Sequence, residues 1–372
     1  MKYLFFLALV ALVSSSHQDQ RTINDLRDAI LELNDRMDPH THFYKPSDVS
    51  HSCTFPGDGF NVSVTFLSLM ESLCFTELIR NRPYDDYCPS ADNAKPLRCA
   101  IIILRRKGKR EVRLGYICDQ DENPSPALFR LNKNCSDLKY DTSEVTVQIK
   151  IPSEDQPWKH SLPLYMPMKC KWIEYTDSFT FSEGKTPSED DNPRNPLGRQ
   201  GIAGRGKLPH LGANAVLIPI IVRENDGQLQ VVIEKNSKAP FGFPLPWVPY
   251  PRYFYYDPFG RELTRSLHKM WLTMYETDEH FYYTTTLEQE IIYNGPIHDK
   301  RNTDHAWMYA RLFVVDDSKY KFMTDFPPDS RFSWRNITEQ YLTFMKTSLI
   351  DVEGKRLQTL SFTSNSHATL AK

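Results

Sequence analysis

Asn195-Pro-Leu-Gly-Arg-Gln-Gly-Ile-Ala-Gly-Arg-Gly206 and, further on, Arg301-Asn-Thr-Asp-His-Ala-Trp307 bracket the stretch of this chain whose fold is most legible. Taken alone, the first run is a weak nucleotide signal, because a tight-turning loop between domains has the same glycine-rich composition. Strand signals follow at Ala215–Val222 and Leu229–Glu234, joined by Arg223-Glu-Asn-Asp-Gly-Gln228 with an Asp-Gly turn. Residues 240–258 are crowded with prolines and aromatics, which excludes a regular helix or a central strand. Next comes Leu263-Thr-Arg-Ser-Leu-His-Lys-Met-Trp-Leu-Thr-Met-Tyr275. Here Leu263, Leu267, Met270, Trp271 and Met274 recur at helical spacing, and Asp257-Pro258 supplies a start signal.

In combination and in this order, these stretches resemble the ADP-ribose pyrophosphatase branch of the Nudix hydrolases, over about Asn195 to Trp334. Arg301–Trp307 resembles the family's Arg-Asn-Thr-Asp-Asn-Ala-Trp at every position but His305. Gly201-Ile-Ala-Gly-Arg-Gly206, Gly212-Ala-Asn214 and Pro219-Ile-Ile-Val-Arg223 follow one another as the family has them. The resemblance implies an α+β chain whose residues 213–356 form a Nudix-type α/β/α sandwich around a mixed sheet. It matches Asn302 and Asp304 to positions that shape the family's substrate site. Arg205, Thr303 and Trp307 join them as candidate ligand-binding residues.

The family's chemistry splits a diphosphate linked to another group, with Mg²⁺ neutralising the developing charge and aligning water. Mg²⁺ requires hard oxygen ligands, so carboxylates three and four residues apart are gathered on one helical face. The signature is G-x5-E-x7-R-E-U-x-E-E-x-G-U, with U a bulky aliphatic. Phe243-Pro-Leu-Pro246 resembles the Trp-Ala-Ile-Pro before it, but Trp247 and Val248 stand where two glycines belong. After a short insertion, Gly260-Arg261 resembles the opening Gly-Glu, and Lys269 replaces the arginine. Met270 stands at the next glutamate, and Thr273 and Met274 stand at the Glu-Glu pair. Upstream, the family's Gly-Pro-Asn-His-Ala-Ala-Asp-Pro has become Gly212-Ala-Asn-Ala-Val-Leu-Ile-Pro219, with Ala215 and Ile218 in place of the histidine and aspartate.

No catalytic position is intact, so the expectation is a catalytically inactive module that binds a nucleotide or a protein and needs no cofactor. The same branch includes a channel-tethered ADP-ribose-sensing domain in which a degenerate helix accompanies ligand binding. The alternative is an active, Mg²⁺-dependent enzyme yielding AMP and ribose 5-phosphate. It would recruit Asp278, Glu279, Glu288, Glu290, Asp299 or Asp304 from outside the helix. In the inactive module the aromatic stretch Phe241–Tyr256 is the new surface, stacking on a base or meeting a protein, or simply covers the sheet; a third reading is a purely structural interaction protein.

The N-terminal half reads differently. Met1–Ser16 follows the secretory pattern: Lys2, an apolar stretch too short to span a bilayer, then Ser14–Ser16. Residues 17–50 hold an amphipathic helix and linker, with Ile23, Leu26, Ile30, Leu33 and Met37 along one seam. That seam either packs on the next domain or supports weak self-association through residues 22–37. All seven cysteines (Cys53, Cys74, Cys88, Cys99, Cys118, Cys135 and Cys170) fall within 51–170. With no C-x-x-C pair, they predict a disulfide-stapled, mostly-β domain rather than a zinc site, its connectivity open and one thiol left over.

Within that domain, Ala100–Leu104 and Val112–Cys118 form a hairpin around a basic turn, Glu144–Ile151 alternates as a strand, and Leu67–Ile79 allows a helix. Sequons at Asn61, Asn134 and Asn336 agree with export as candidate glycosylation sites. Residues 171–212 read as linker and Gly-rich segment, and 357–372 as a flexible tail. A net charge of −2, from 45 basic and 47 acidic residues, gives no electrostatic case for nucleic acid or an anionic membrane as partner. A secreted protein binding an ADP-ribose-like nucleotide or an extracellular protein is what remains.

Overall fold

The seam on the first helix finds its partner within the same unit. The computed structural model describes residues 20–37, 42–57, 59–76, 88–107, 112–119, 127–140, 147–160, 162, 164–169, 192–236, 245–249, 289–316, 325–337, 360–362 and 368–370. Helix α1 (Gln20–Arg36) buries Leu26, Ala29, Ile30 and Leu33 on one face of a five-stranded antiparallel sheet. The strands are β1 (His42–Pro56), β2 (Phe60–Phe75), β3 (Leu97–Arg106), β4 (Val112–Asp119) and β5 (Leu164–Met166), side by side in chain order. Arg105 on β3 pairs with Asp25 of the helix through two nitrogens, Nε to Oδ2 at 2.8 Å. Lys107 donates to the Gly57 carbonyl. Two cations of the basic turn are therefore committed inside the unit.

Alternation along the strands fills both faces. Leu67, Leu69, Leu97, Ile101 and Ile103 meet the helix, while Val62, Val64, Phe66, Ala100, Ile102 and Leu104 face the other way. That second face is covered by Leu128 of the short helix α2 (Ala127–Leu131), by Leu138, and by Val147, Ile149 and Ile151. The helix allowed over Leu67–Ile79 is instead, in its described part, the continuation of β2 to Phe75, which pairs with β1 along this stretch and with β3 as far as Leu69; residues 77–79 lie outside the described residues. Within the alternation expected over 144–151, Val147, Ile149 and Ile151 are buried, and among the described residues one bridge, Lys139 to Val147, forms there. The segment is an extended cover strip, not a ladder strand; its amides go to Leu138 and Gly201.

Three disulfides tie this unit: Cys53–Cys135, Cys74–Cys88 and Cys99–Cys118. Cys99 and Cys118 face each other across β3 and β4. Cys53–Cys135 fastens the covering layer to the edge strand. Cys170, the seventh cysteine, lies outside the described residues.

The second unit is a mixed sheet of β6 (Gly212–Asn225), β7 (Gln228–Glu234), β8 (Val248–Pro249), β9 (Gln289–Ile297), β10 (Ala306–Asp316) and β11 (Phe332–Asn336). The order is β11-β7-β6-β10-β9, with β8 paired to β6; β6 and β10 run parallel and their other partners antiparallel. The expected Asp-Gly turn joins β6 to β7, with both Asp226 (φ 51°) and Gly227 (φ 72°) left-handed, the geometry that matches strand twist. Val216, Ile218, Ile220, Val222, Met308, Ala310, Leu312 and Val314 line one buried face. The helix expected over Leu263–Tyr275, and with it the layered α/β/α sandwich, lies outside the described residues; so does Met1–Ser16.

The units are not consecutive in sequence. Residues up to Glu174 and Gly198–Gly206 belong to the first; Tyr175–Leu197 and Lys207–Lys372 belong to the second. Of the run 171–212, expected as linker and Gly-rich segment, Gly198–Gly206 belongs to the first unit and its immediate flanks to the second. β1 begins within 17–50, the span expected as amphipathic helix and linker. In the expected tail, β12 (Leu360–Phe362) pairs with β13 (Ala368–Leu370) as a small hairpin. No helix among the described residues is long and apolar enough to cross a membrane.

Candidate functional site

Residues 299–307 form a closed turn where β10 starts, and buried side chains make it. Asn302, 0% exposed, donates from Nδ2 to the Ile297 carbonyl at 2.8 Å and accepts the Met308 amide on Oδ1 at 2.9 Å, joining the end of β9 to the start of β10. Thr303, also 0% exposed, takes the Ala306 amide on Oγ1 at 2.9 Å and sends its own amide to the Ala306 carbonyl. Asp304 is 1% exposed. Its carbonyl accepts the Asn195 amide at 2.8 Å, and Asn195 Nδ2 donates to the Thr303 carbonyl at 2.9 Å. The His305 carbonyl receives the Gly212 amide, and Asn214 closes the neighbouring loop through the amide and carbonyl of His210.

Asp299 and Arg301 form a fork. Asp299 Oδ1 accepts the Arg301 backbone amide at 2.8 Å and Nε at 2.7 Å, and Oδ2 accepts Nη2 at 3.0 Å. The Asp299 side chain is 1% exposed, so both its oxygens are taken up by one guanidinium away from water. Trp307 follows on β10, half-buried beside Ala213 of β6. Its indole nitrogen is buried and meets no acceptor among the described residues. Burial raises the phenols of Tyr44 and Tyr116 above the ordinary range, but both belong to the other unit.

The structure thus gathers Asn302, Thr303, Asp304 and Trp307 into one turn and its strand. The side-chain groups of Asn302 and Thr303 serve the backbone. Arg205 belongs to the first unit. Asp299 and Arg301 were singled out less strongly by sequence, although an Asp two residues before an Arg is a local capping signal. Of the positions departing from the metal signature, Arg261, Lys269, Met270, Thr273 and Met274 lie outside the described residues. Ile218, standing where the resemblance has an aspartate, is 0% exposed and part of the apolar core. Among the described residues, no group of three or more His, Cys, Asp or Glu could hold a metal ion. Asn61, Asn134 and Asn336 are all exposed.

No family model matches the chain. It is similar to the mitochondrial ADP-ribose pyrophosphatase of Rattus norvegicus, 29% identical over 183 residues that cover 41% of this chain and 50% of that protein. A putative nudix hydrolase 6 of Caenorhabditis elegans is 30% identical over 135 residues, covering 34% and 47%. The transient receptor potential cation channel subfamily M member 2 of Rattus norvegicus is 28% identical over 117 residues, covering 31% of this chain and 8% of the channel. Among solved structures, mouse fetuin-B in complex with crayfish astacin aligns with 37% of the chain at 14% identity and a TM-score of 0.23, too loose a superposition to assign a fold. The chain spans about half the length of the first two curated relatives. Over a third to two fifths of its own length, then, this protein is similar to ADP-ribose pyrophosphatases and Nudix hydrolases.

Proposed function

We propose that the second unit binds an ADP-ribose-like nucleotide without hydrolysing it, as part of a secreted protein. The observation behind this reading is a contrast within one domain. The turn at 299–307 closes on itself through the buried side chains of Asn302 and Thr303, while the sequence of Leu263–Tyr275 offers no carboxylate. Mg²⁺ does not fit the donors at the signature positions or at Asp299. Met270 and Met274 are soft thioethers, Lys269 is a cation, and Asp299 has both oxygens engaged by Arg301. Without a metal clamp, phosphoryl transfer loses most of its acceleration, since positioning and charge neutralisation provide nearly all of it. A buried donor without an acceptor, such as Trp307 Nε1, costs about 1–3 kcal/mol, and a ligand acceptor would relieve it.

Secretion is supported by the Met1–Ser16 pattern and by three disulfides, which persist in oxidising compartments. Exposure of Asn61, Asn134 and Asn336 suits glycan attachment there. The test is calorimetry of the full protein with ADP-ribose, followed by incubation with Mg²⁺ or Mn²⁺ and assay for AMP. Binding without AMP is expected, weakened by Trp307→Phe, which keeps a ring and removes the N–H. AMP production abolished by Asp304→Ala would replace this reading with the enzyme. No binding at millimolar nucleotide would leave an interaction protein.

A further inference from the structure

The segment Gly198–Gly206 behaves as a plug in the first unit. Arg199 is 8% exposed, and its guanidinium donates to three backbone carbonyls: Asp155 and Pro157 from Nη1 and His160 from Nη2, each at 2.9 Å. The rings of Trp158 and Tyr165 lie 5.0 and 5.2 Å from the guanidinium carbon. Around it, the Arg199 amide reaches the Gln156 carbonyl, Ala203 reaches Met168, and Gly201 receives the Ile149 amide and donates to the Tyr165 hydroxyl. A Cβ on Gly201 (φ 72°) would stand 1.7 Å from the Ile149 carbonyl oxygen, and one on Gly198 (φ 89°) 2.3 Å from that of Gln156. The glycines are there because backbone meets backbone.

Just before the plug, the chain is anchored in the other unit by Asn195, 0% exposed, on Thr303 and Asp304. Just after it, Gly212 is anchored on His305. Only Pro196, Leu197 and Gly198 separate the Asn195 anchor from Arg199. With the plug seated, the flanks that clamp the 299–307 turn are each short tethers held at their far end. Shortening a tether raises the effective concentration of the group it presents. We infer that Arg199 is a positioning residue: by seating the plug in the first unit, it holds closed the Asn195 and Gly212 clamps on the candidate site of the second. The coupling runs along the chain itself and does not depend on which ligand, if any, the turn accepts.

Hydrogen exchange on the full protein reads this directly. In Arg199→Ala, the amides of Asn195 and Gly212, which bond within the second unit, should exchange at least tenfold faster. Amides of β7, remote from both flanks, should stay unchanged. Trp158→Leu, which keeps all three guanidinium donations and removes one ring, should give the same pattern at smaller amplitude and serves if Arg199→Ala does not fold. Faster exchange confined to Arg199, Gly201 and Ala203, with Asn195 and Gly212 at the wild-type rate, would overturn the coupling while leaving nucleotide binding by the turn open. Loss of ADP-ribose binding in wild type would not touch the exchange result.

Discussion

Asn302 separates a ligand role from a structural one. Nδ2 and Oδ1 each serve a backbone group, and the residue has no exposed surface. In Asn302→Ala, the Ile297 carbonyl and the Met308 amide are left buried and unpaired, at roughly 1–3 kcal/mol each. The second unit should therefore lose about 2–6 kcal/mol, read as a lower urea midpoint at unchanged slope. A residue that only touched ligand would change affinity and leave the midpoint where it was. Ile218 illustrates the reverse history: at a position where the resembled family has a carboxylate, a core methyl cluster now excludes water. A charge returned there would be buried without a partner. At this position the sequence reading, which saw only that polarity had gone, is completed by packing.

At the scale of elements, legibility followed periodicity and local turn chemistry. The β6–β7 hairpin was plain because Asp226-Gly227 sits between two apolar runs, and the β3–β4 hairpin because its two strands flank a polar turn. Alternation also gives the inward side of Val147, Ile149 and Ile151, but not that the backbone there pairs only in patches, since its partners are Leu138 and Lys139 just upstream and Gly201 some fifty residues on, none of them a regular strand. Beyond Phe66 the sequence leaves β2 open to a helix, because Leu67-Ser-Leu-Met suits either period over so short a span. The Gly-rich run is the least legible element: its composition says turn, and nothing in it says which unit it serves. Two glycines of equal φ make that difference measurable. Gly201→Ala meets a carbonyl oxygen at 1.7 Å, whereas Gly227→Ala, also at φ 72°, meets nothing within 4 Å. The hairpin variant should cost about 1–2 kcal/mol for left-handed backbone alone. Gly201→Ala should cost about 3 kcal/mol or more, because backbone must move. Equal losses in the two thermal melts would mean that the plug is not seated.

Over the whole molecule, covalent cross-links are distributed unequally between the two units. All three disulfides lie in the first, and the sequence contains no cysteine after Cys170. Chain-entropy reasoning assigns roughly 3 kcal/mol to each bridge closing 14 or 19 residues and about 4.5 kcal/mol to the one closing 82, on the order of 10 kcal/mol together. Domain stabilities run at about 5–15 kcal/mol, so reduction removes most or all of the margin that keeps the first unit folded. The second unit, with its mixed sheet and no bridge among its described residues, has no such dependence. Adding dithiothreitol at ambient temperature should therefore abolish the exchange protection of β2 and β3 while that of β6 and β10 persists. Asn195 and Gly212 should sit between these extremes, because their own bonds lie in the second unit but the plug that shortens their tethers dissolves with the first. If β6 and β10 lost protection in step with β3, the second unit would be unable to stand without the first, a stronger dependence than a clamp supplies. If β3 stayed protected under reduction, the two-faced core around Ile101 and Ile102 would be holding the first unit unaided, and the disulfides would matter for its history in an oxidising compartment more than for its stability.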